Sequence, residues 1–282
     1  MKLIRIAFAG VFFVMASLPT MASTKIGDFA LLDQTGKLYQ LSYYGDQSAV
    51  VILTQANGDQ ASREAAAQLS GLQADHQDTV FLMLNVQPED GRDAIAREAE
   101  EQGYTVPVLL DESQLVARSL GAQHYAEAFV IDPAKMELIY QGAAGDKLAA
   151  ALAGNSVNNG GTGNGAAIAY AESPQDISYS RDIVPMLQEN CVSCHHDGGI
   201  GPWSMSSHNM VKGWSKMMKE VVMTRRMPPG QIDTHVGKSI EDVSGLTAAE
   251  MQTLVAWIDA GAPKDNNDAD PLAEMTFEDP RY

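Results

Sequence analysis

The chain has 282 residues, a formal net charge of −17 and only two cysteines. So acidic a protein binds nucleic acid or an anionic membrane surface poorly, which excludes functions that depend on polyanionic partners. The length is sufficient for two domains.

The N-terminus has the pattern of a secretory signal. Two basic residues precede an apolar stretch over residues 6–18, and the small residues Thr20 and Ala22 follow at suitable cleavage positions. We predict a cleaved signal peptide over residues 1–23, with an uncleaved anchor as the alternative. No later stretch reaches the about 18 apolar residues of a spanning helix. We therefore expect a mature protein without a transmembrane segment, exported to a bacterial periplasm.

The first half alternates apolar runs, typical of buried strands, with Ala- and Glu-rich segments typical of helices. The predicted order is strand 49–54, helix 61–75, strand 80–85, helix 91–102, strand 106–110, helix 113–120, and strands 128–131 and 137–140. This order predicts an α/β domain over residues 24–153, with a mixed sheet covered by helices.

A second domain is expected after a Gly- and Asn-rich segment. Residues 154–165 contain no pattern that could form a core, so we predict a flexible linker over residues 154–169. The remaining residues, 170–282, form the second predicted domain.

The first half resembles the thioredoxin fold in its peroxiredoxin-like branch. The resemblance rests on Ile26-Gly-Asp-Phe-Ala-Leu-Leu-Asp-Gln-Thr-Gly36, the strand that follows, and residues 126–132. The family places a reactive cysteine at the start of the next helix, but here Asp59 stands at that place. Because this half contains no cysteine, thiol chemistry is excluded there. We expect a scaffold or docking module in which Asp59 and Ser62 cap the helix.

The second half has the order helix, motif, helix, loop, helix. Residues 180–190 predict a helix with Ser180 as its N-cap, and residues 211–225 predict another with an apolar stripe. Thr247-Ala-Ala-Glu250 is a capping box that begins a third helix. Gly261 ends that helix.

Cys191-Val-Ser-Cys194-His195 contains both cysteines and allows three interpretations. A structural zinc site needs about four ligands, commonly in two pairs, and His208 and His235 do not supply the second pair. A redox disulfide needs a thioredoxin fold around the motif, which lies beyond the linker. Covalent haem fits every part, with thioether bonds to both cysteines and His195 as the proximal iron ligand.

The second half also resembles the small class I-like c-type cytochromes, which are all-α. Its helices before the motif and after Thr247 match two helices that cross beside the haem. Gly198-Gly-Ile-Gly-Pro-Trp203, Val211-Lys-Gly-Trp214 and Arg225-Arg-Met-Pro-Pro229 are similar to an exported cytochrome family with a redoxin-like domain. Some members are encoded near copper-dependent monooxygenases. The resemblance implies one covalent haem c and a redox partner in the periplasm, with a copper monooxygenase as one such partner.

The second axial ligand is the least determined part of the predicted site. Met227 is the first choice, since the two prolines after it stiffen the loop and a thioether would raise the reduction potential. His208 is the alternative and would give a bis-histidine haem of lower potential. A five-coordinate iron with an open sixth position is the third possibility.

The resulting prediction is a periplasmic monohaem electron carrier, not an enzyme, with cofactor-binding residues Cys191, Cys194, His195 and Met227. Two rival hypotheses remain. A haem enzyme or sensor would have an open, peroxidase-like iron site. An assembly module would use the haem only to stabilise the fold.

Overall fold

A computed structural model describes residues 24–155, 157, 161–230, 245–265 and 269–276. The predicted signal peptide over residues 1–23 and His235 lie outside these ranges. No helix in the described ranges is long and apolar enough to cross a membrane.

The first domain is built on a six-stranded mixed sheet. The strands of the domain are β1 (Thr24–Lys25), β2 (Ala30–Leu32), β3 (Leu38–Gln40), β4 (Ala49–Gln55), β5 (Thr79–Asn85), β6 (Val108–Leu110), β7 (Glu127–Asp132) and β8 (Glu137–Ala143). The sheet order is β1-β8-β7-β4-β5-β6, and β2 pairs with β3 in a separate hairpin. Strands β4, β5 and β6 are parallel, whereas β7 runs antiparallel to β4. The predicted mixed sheet is therefore confirmed.

Helices cover both faces of this sheet. They are α1 (Gln60–Asp75), α2 (Arg92–Gln102), α3 (Leu115–Leu120) and α4 (Asp146–Leu152). A hydrophobic core lies on each face of the sheet, and alternate residues of β4 point into one or the other. Val50 and Ile52 pack with α3, while Val51 and Leu53 pack with α1, α2 and α4. All seven residues of β4 are buried, which explains its continuous apolar sequence.

The second half of the predicted linker is docked on the first domain. Tyr125 N donates to Ala166 O at 2.9 Å, and Ile168 N donates to Gln123 O at 2.9 Å. A Cβ atom on Gly165 would lie 2.7 Å from Tyr125 O, so glycine is needed for this close approach. The expectation that all of residues 154–169 form a flexible linker is corrected, because these glycines serve packing.

The second domain is mostly helical in its described residues. Its first helix begins with a π-helical turn (Tyr179–Ile183), continues as α5 (Val184–Leu187) and ends with another π-helical turn (Gln188–Val192). Helices α6 (His208–Met223) and α7 (Ala248–Asp259) follow. Tyr179 and Trp257 are fully buried in the core that these helices share.

The helix starts were predicted with mixed success. The capping box at Thr247 and Glu250 is confirmed. The assignment of Ser180 as N-cap is wrong, since Ser178 Oγ accepts from Arg181 N at 3.0 Å. Ser180 instead donates from its backbone N and its Oγ to the Asp265 carboxylate. The helix therefore begins two residues before the predicted start, with a π-helical turn.

The two domains contact each other through α6 and α7. Gln252 Nε2 donates to Ser113 O at 2.8 Å across the boundary, and Met223 packs against the core of the first domain. Ser113 lies in a turn organised by Asp111, whose carboxylate accepts from Ala117 N at 2.8 Å.

Asp111 is expected to make the folded protein less stable as the pH rises. Burial raises the pKa of this carboxyl from 3.8 to about 6, although backbone N–H groups of α3 oppose the shift. The folded chain therefore holds a proton that the unfolded chain loses between these pH values, and stability declines as the pH rises through that range by roughly 3 kcal/mol. Asp111→Asn should flatten this slope in urea unfolding measured from pH 4 to pH 7.

Asp265→Asn is the control, because folding shifts the pKa of Asp265 in the opposite direction from that of Asp111. Burial alone would raise the pKa of Asp265, but hydrogen bonds from Ser180, Ser178 and Tyr179 outweigh it and lower the pKa to about 2. Its contribution to stability is therefore present above its ordinary pKa of 3.8 and is lost as the pH falls through about 2. An identical pH dependence in the two variants would contradict the assignment for Asp111.

Candidate haem-binding site

The two cysteines and His195 lie together at the end of the first helix of the second domain. Backbone N atoms of Cys194 and His195 both donate to Cys191 O, at 3.1 and 3.0 Å, so a single tight turn presents all three side chains. Both thiols are free. Burial, with a smaller contribution from the neighbouring Cys194, raises the pKa of Cys191 to about 12. A thiol that stays protonated is a poor nucleophile for disulfide exchange.

The ring of His195 is fixed by a backbone carbonyl. His195 Nδ1 lies 2.9 Å from Trp203 O, and because a carbonyl can only accept, Nδ1 carries the hydrogen. The lone pair is then on Nε2, which has no hydrogen-bond partner among the described residues. Metal-binding histidines are commonly oriented in this way by a hydrogen bond from the other ring nitrogen. The ring is thus prepared to bind a metal through Nε2.

A glycine-rich loop folds back over the motif and delivers this carbonyl. Gly201 N donates to Cys194 O at 2.7 Å, and Met205 N donates to His195 O at 2.8 Å. Sequence reasoning did not assign roles to Gly201 or to the carbonyl of Trp203. The available signal was the Gly-Pro-Trp sequence shortly after the motif, in which a glycine allows the backbone to approach the histidine.

Gly201→Ala is expected to disturb His195. A Cβ atom there would lie 2.7 Å from His195 Nδ1 and 2.8 Å from Cys194 O, both sterically prohibited distances. The loop must move, which should break the bond to Trp203 O and cost about 1–3 kcal/mol of stability. Thermal unfolding and the absorption spectrum of the exported protein measure these effects.

Gly213→Ala is the matched control for that substitution. Gly213 lies inside α6 with no atom within 4 Å of an added Cβ, so alanine should stabilise the helix by about 0.5–1 kcal/mol. Equal melting temperatures for the two alanine variants would contradict the steric role of Gly201.

Met227 lies in the turn that follows α6. Its backbone N donates to Val221 O at 3.1 Å, and its side chain is 36% exposed. The structure thus puts His195 and Met227 on different elements of the second domain. Iron ligation by Met227 stays a prediction.

His208, the alternative ligand, is buried and hydrogen-bonded to the backbone. It is only 6% exposed, and its Nε2 lies 3.0 Å from Ala262 O, so this nitrogen donates a hydrogen bond. Its ring also packs edge-on against Tyr179 with the ring centres 4.8 Å apart. Binding iron through Nε2 would require His208 to give up this bond.

The second domain exposes several large apolar side chains near these elements. They are Ile200, Met210, Trp214, Met217 and Met227. Exposed large apolar side chains can mark a surface that another molecule covers. An apolar macrocycle such as haem fits this donor set, with an oriented histidine and two thiols beside it. In the described ranges, no three His, Cys, Asp or Glu side chains cluster to hold a bare metal ion.

In the first domain, an aspartate stands where the resembled family has its reactive cysteine. Asp59 is the N-cap of α1, and its Oδ1 accepts from both the N and the Oγ of Ser62 at 2.7 Å. The predicted capping role is confirmed.

Comparison with known proteins agrees with this fold. Residues 22–138 match the model of the AhpC/TSA family. The first domain is therefore similar to the thioredoxin-like domains of the AhpC/TSA family. Both cysteines of the chain lie outside the matched residues, so the AhpC/TSA-type domain contains no thiol.

Solved structures that match part of the chain come from several bacteria. A hypothetical protein from Sinorhizobium meliloti 1021 is 24% identical, with a TM-score of 0.47, covering 55% of this chain and 97% of its own. An uncharacterized conserved protein from Geobacillus kaustophilus is 24% identical, with a TM-score of 0.46, covering 56% and 100%. Peroxidoxin BcpB from Mycobacterium tuberculosis is 21% identical, with a TM-score of 0.39, covering 46% and 93%. No curated protein matches the chain.

Proposed function

We propose that the protein is a periplasmic one-electron carrier whose second domain is a c-type cytochrome with a single haem c. Cys191 and Cys194 would hold the haem through thioether bonds, and His195 and Met227 would be the two axial ligands. The AhpC/TSA-type domain, which lacks a cysteine, would serve as a scaffold or docking module.

The observation that supports this proposal most strongly is the orientation of His195. The C-x-x-C-H sequence is the attachment signal for c-type haem. The bond from His195 Nδ1 to Trp203 O leaves Nε2 available beside the two thiols. A haem supplies reversible one-electron chemistry at its iron, and the protein tunes the potential through the axial ligands and the burial of the ring.

The residues of the chain have distinct tasks in such a carrier. The Gly201 loop and Trp203 O would hold the proximal imidazole in one tautomer and one orientation. The side chain of Met227 would cover part of the macrocycle and exclude water from the iron. A periplasmic redox protein would be the partner, and the family resemblance alone suggests a copper monooxygenase.

The decisive experiment is to produce the full chain in a bacterial host that attaches haem c. We expect a red protein whose mass equals the processed polypeptide plus one haem. A low-spin spectrum of the oxidised protein would agree with two axial ligands. The double variant Cys191→Ala, Cys194→Ala is the control and should lack covalent haem. A colourless wild-type protein, or one with the mass of the bare polypeptide, would refute the proposal.

A further inference from the structure

Two tryptophan rings lead from the predicted iron ligand to the surface of the second domain. The centre of the His195 ring lies 5.1 Å from that of Trp203. Trp203 stacks on Trp214 with the ring centres 5.4 Å apart and the planes 16° from parallel. Trp203 is half-buried, whereas Trp214 is 40% exposed. The rings therefore form a continuous contact from His195 to an exposed indole.

Trp214 belongs to an exposed apolar stripe on α6. Met210 and Met217 lie four residues before and three residues after it, on the same side of the helix, and are 40% and 45% exposed. The opposite side of α6 packs into the domain core through Val211, Met218 and Val222. The stripe is thus a surface that the core of the domain does not use.

The charge of this part of the chain differs from that of the whole. The chain has 36 acidic and 19 basic residues, yet residues 212–226 include five basic residues and one acidic residue. Lys212 and Lys216 are exposed on α6, at the other edge of its solvent-facing side. Neither lysine side chain forms an ion pair or hydrogen bond within the described part of the chain. Lys219 and Arg226 pair with Asp259 and Glu220, so the uncompensated positive charge of α6 comes from Lys212 and Lys216.

We propose that electrons enter and leave through Trp203 and Trp214, and that the α6 face receives a redox partner with an acidic contact surface. The inference rests on the proposed function, because it needs a haem at His195. Apolar residues at the centre of a contact with charges at its rim are typical of protein interfaces. Unpaired lysines at the rim steer a negatively charged partner towards the indole and raise the association rate.

Ferricyanide is a suitable anionic oxidant to test this path in the holoprotein. One electron passes from ferrous haem to ferricyanide, which gives ferric haem and ferrocyanide. Trp214→Ala should slow this oxidation several-fold in stopped-flow measurements, with an unchanged reduction potential and spectrum. Trp214→Phe keeps a ring on Trp203 and should retain most of the rate. Met210→Ala removes an equally exposed side chain of the same stripe and is the matched control.

The charge of the face is tested separately. Lys212→Gln with Lys216→Gln should reduce the rate by about tenfold at low ionic strength and remove most of its salt dependence. Lys135→Gln together with Lys25→Gln, on the first domain, removes the same charge at a distance from α6 and should change the rate little.

A second measurement does not depend on electron transfer. Hexacyanochromate(III) has the charge and shape of ferricyanide, is paramagnetic and does not exchange electrons with the haem. It should broaden the NMR signal of the Trp214 indole N–H and leave that of the buried Trp257 sharp. Broadening at other sites only, or equal oxidation rates for wild type and Trp214→Ala, would overturn the inference. A colourless protein would overturn the proposed function itself, whereas a red protein with these results would overturn the inference alone.

Discussion

Replacement of Met227 by alanine is expected to change the haem spectrum strongly and the stability little. The side chain is 36% exposed, so its removal leaves no deep cavity in the core. As an axial ligand, however, its sulfur would be replaced by water or by nothing. The oxidised protein should lose its methionine-to-iron charge-transfer band and become high-spin. The reduction potential should fall by an amount on the order of 0.1 V, since axial ligands help to set haem potentials over a range of about 0.8 V.

Met217→Ala separates ligation from a general effect of removing methionine. Met217 is 45% exposed on α6 and is not a predicted ligand. Its variant should keep the charge-transfer band and the potential of the wild type. Unchanged spectra in Met227→Ala would show that another group is the sixth ligand. A wild-type protein that is already high-spin would favour the rival hypothesis of an open iron site.

The sequence predicted the elements whose signal is local. The uninterrupted apolar run of β4 and the capping box at Thr247 each depend on residues close together in the chain, and both are found in the structure. Strand β1 was not predicted, because its two residues, Thr24–Lys25, are exposed and owe their conformation to pairing with β8. Helix α4 was also missed, since its seven residues, Asp146–Leu152, depend on packing against the sheet.

The candidate site also has features that the sequence predicts and features that only the structure shows. The spacing of Cys191, Cys194 and His195 is visible in the sequence. By contrast, the bond from His195 to the Trp203 carbonyl and the stacking of Trp203 on Trp214 depend on the path of a loop. The docked residues after Gly163 were mistaken for free linker, because a glycine needed for close packing looks the same in sequence as one that confers flexibility.

His208→Ala is expected to destabilise the second domain without changing the axial ligands. The substitution removes a ring that is 6% exposed and leaves the Ala262 carbonyl without its donor. Loss of packing against Tyr179 and Trp257 adds to this cost. The free energy of unfolding should fall by about 2–4 kcal/mol, as for other buried side chains with a lost hydrogen bond. Urea unfolding followed by far-UV circular dichroism measures this change.

His208→Gln distinguishes the hydrogen bond from the packing. A glutamine amide can still donate to Ala262 O, so this variant should recover part of the lost stability. Folded samples of both variants should retain the charge-transfer band, because in the proposed site Met227 and not His208 binds the iron. If His208→Ala instead lost that band while Met227→Ala kept it, the bis-histidine alternative would be correct and the assignment of Met227 would be wrong.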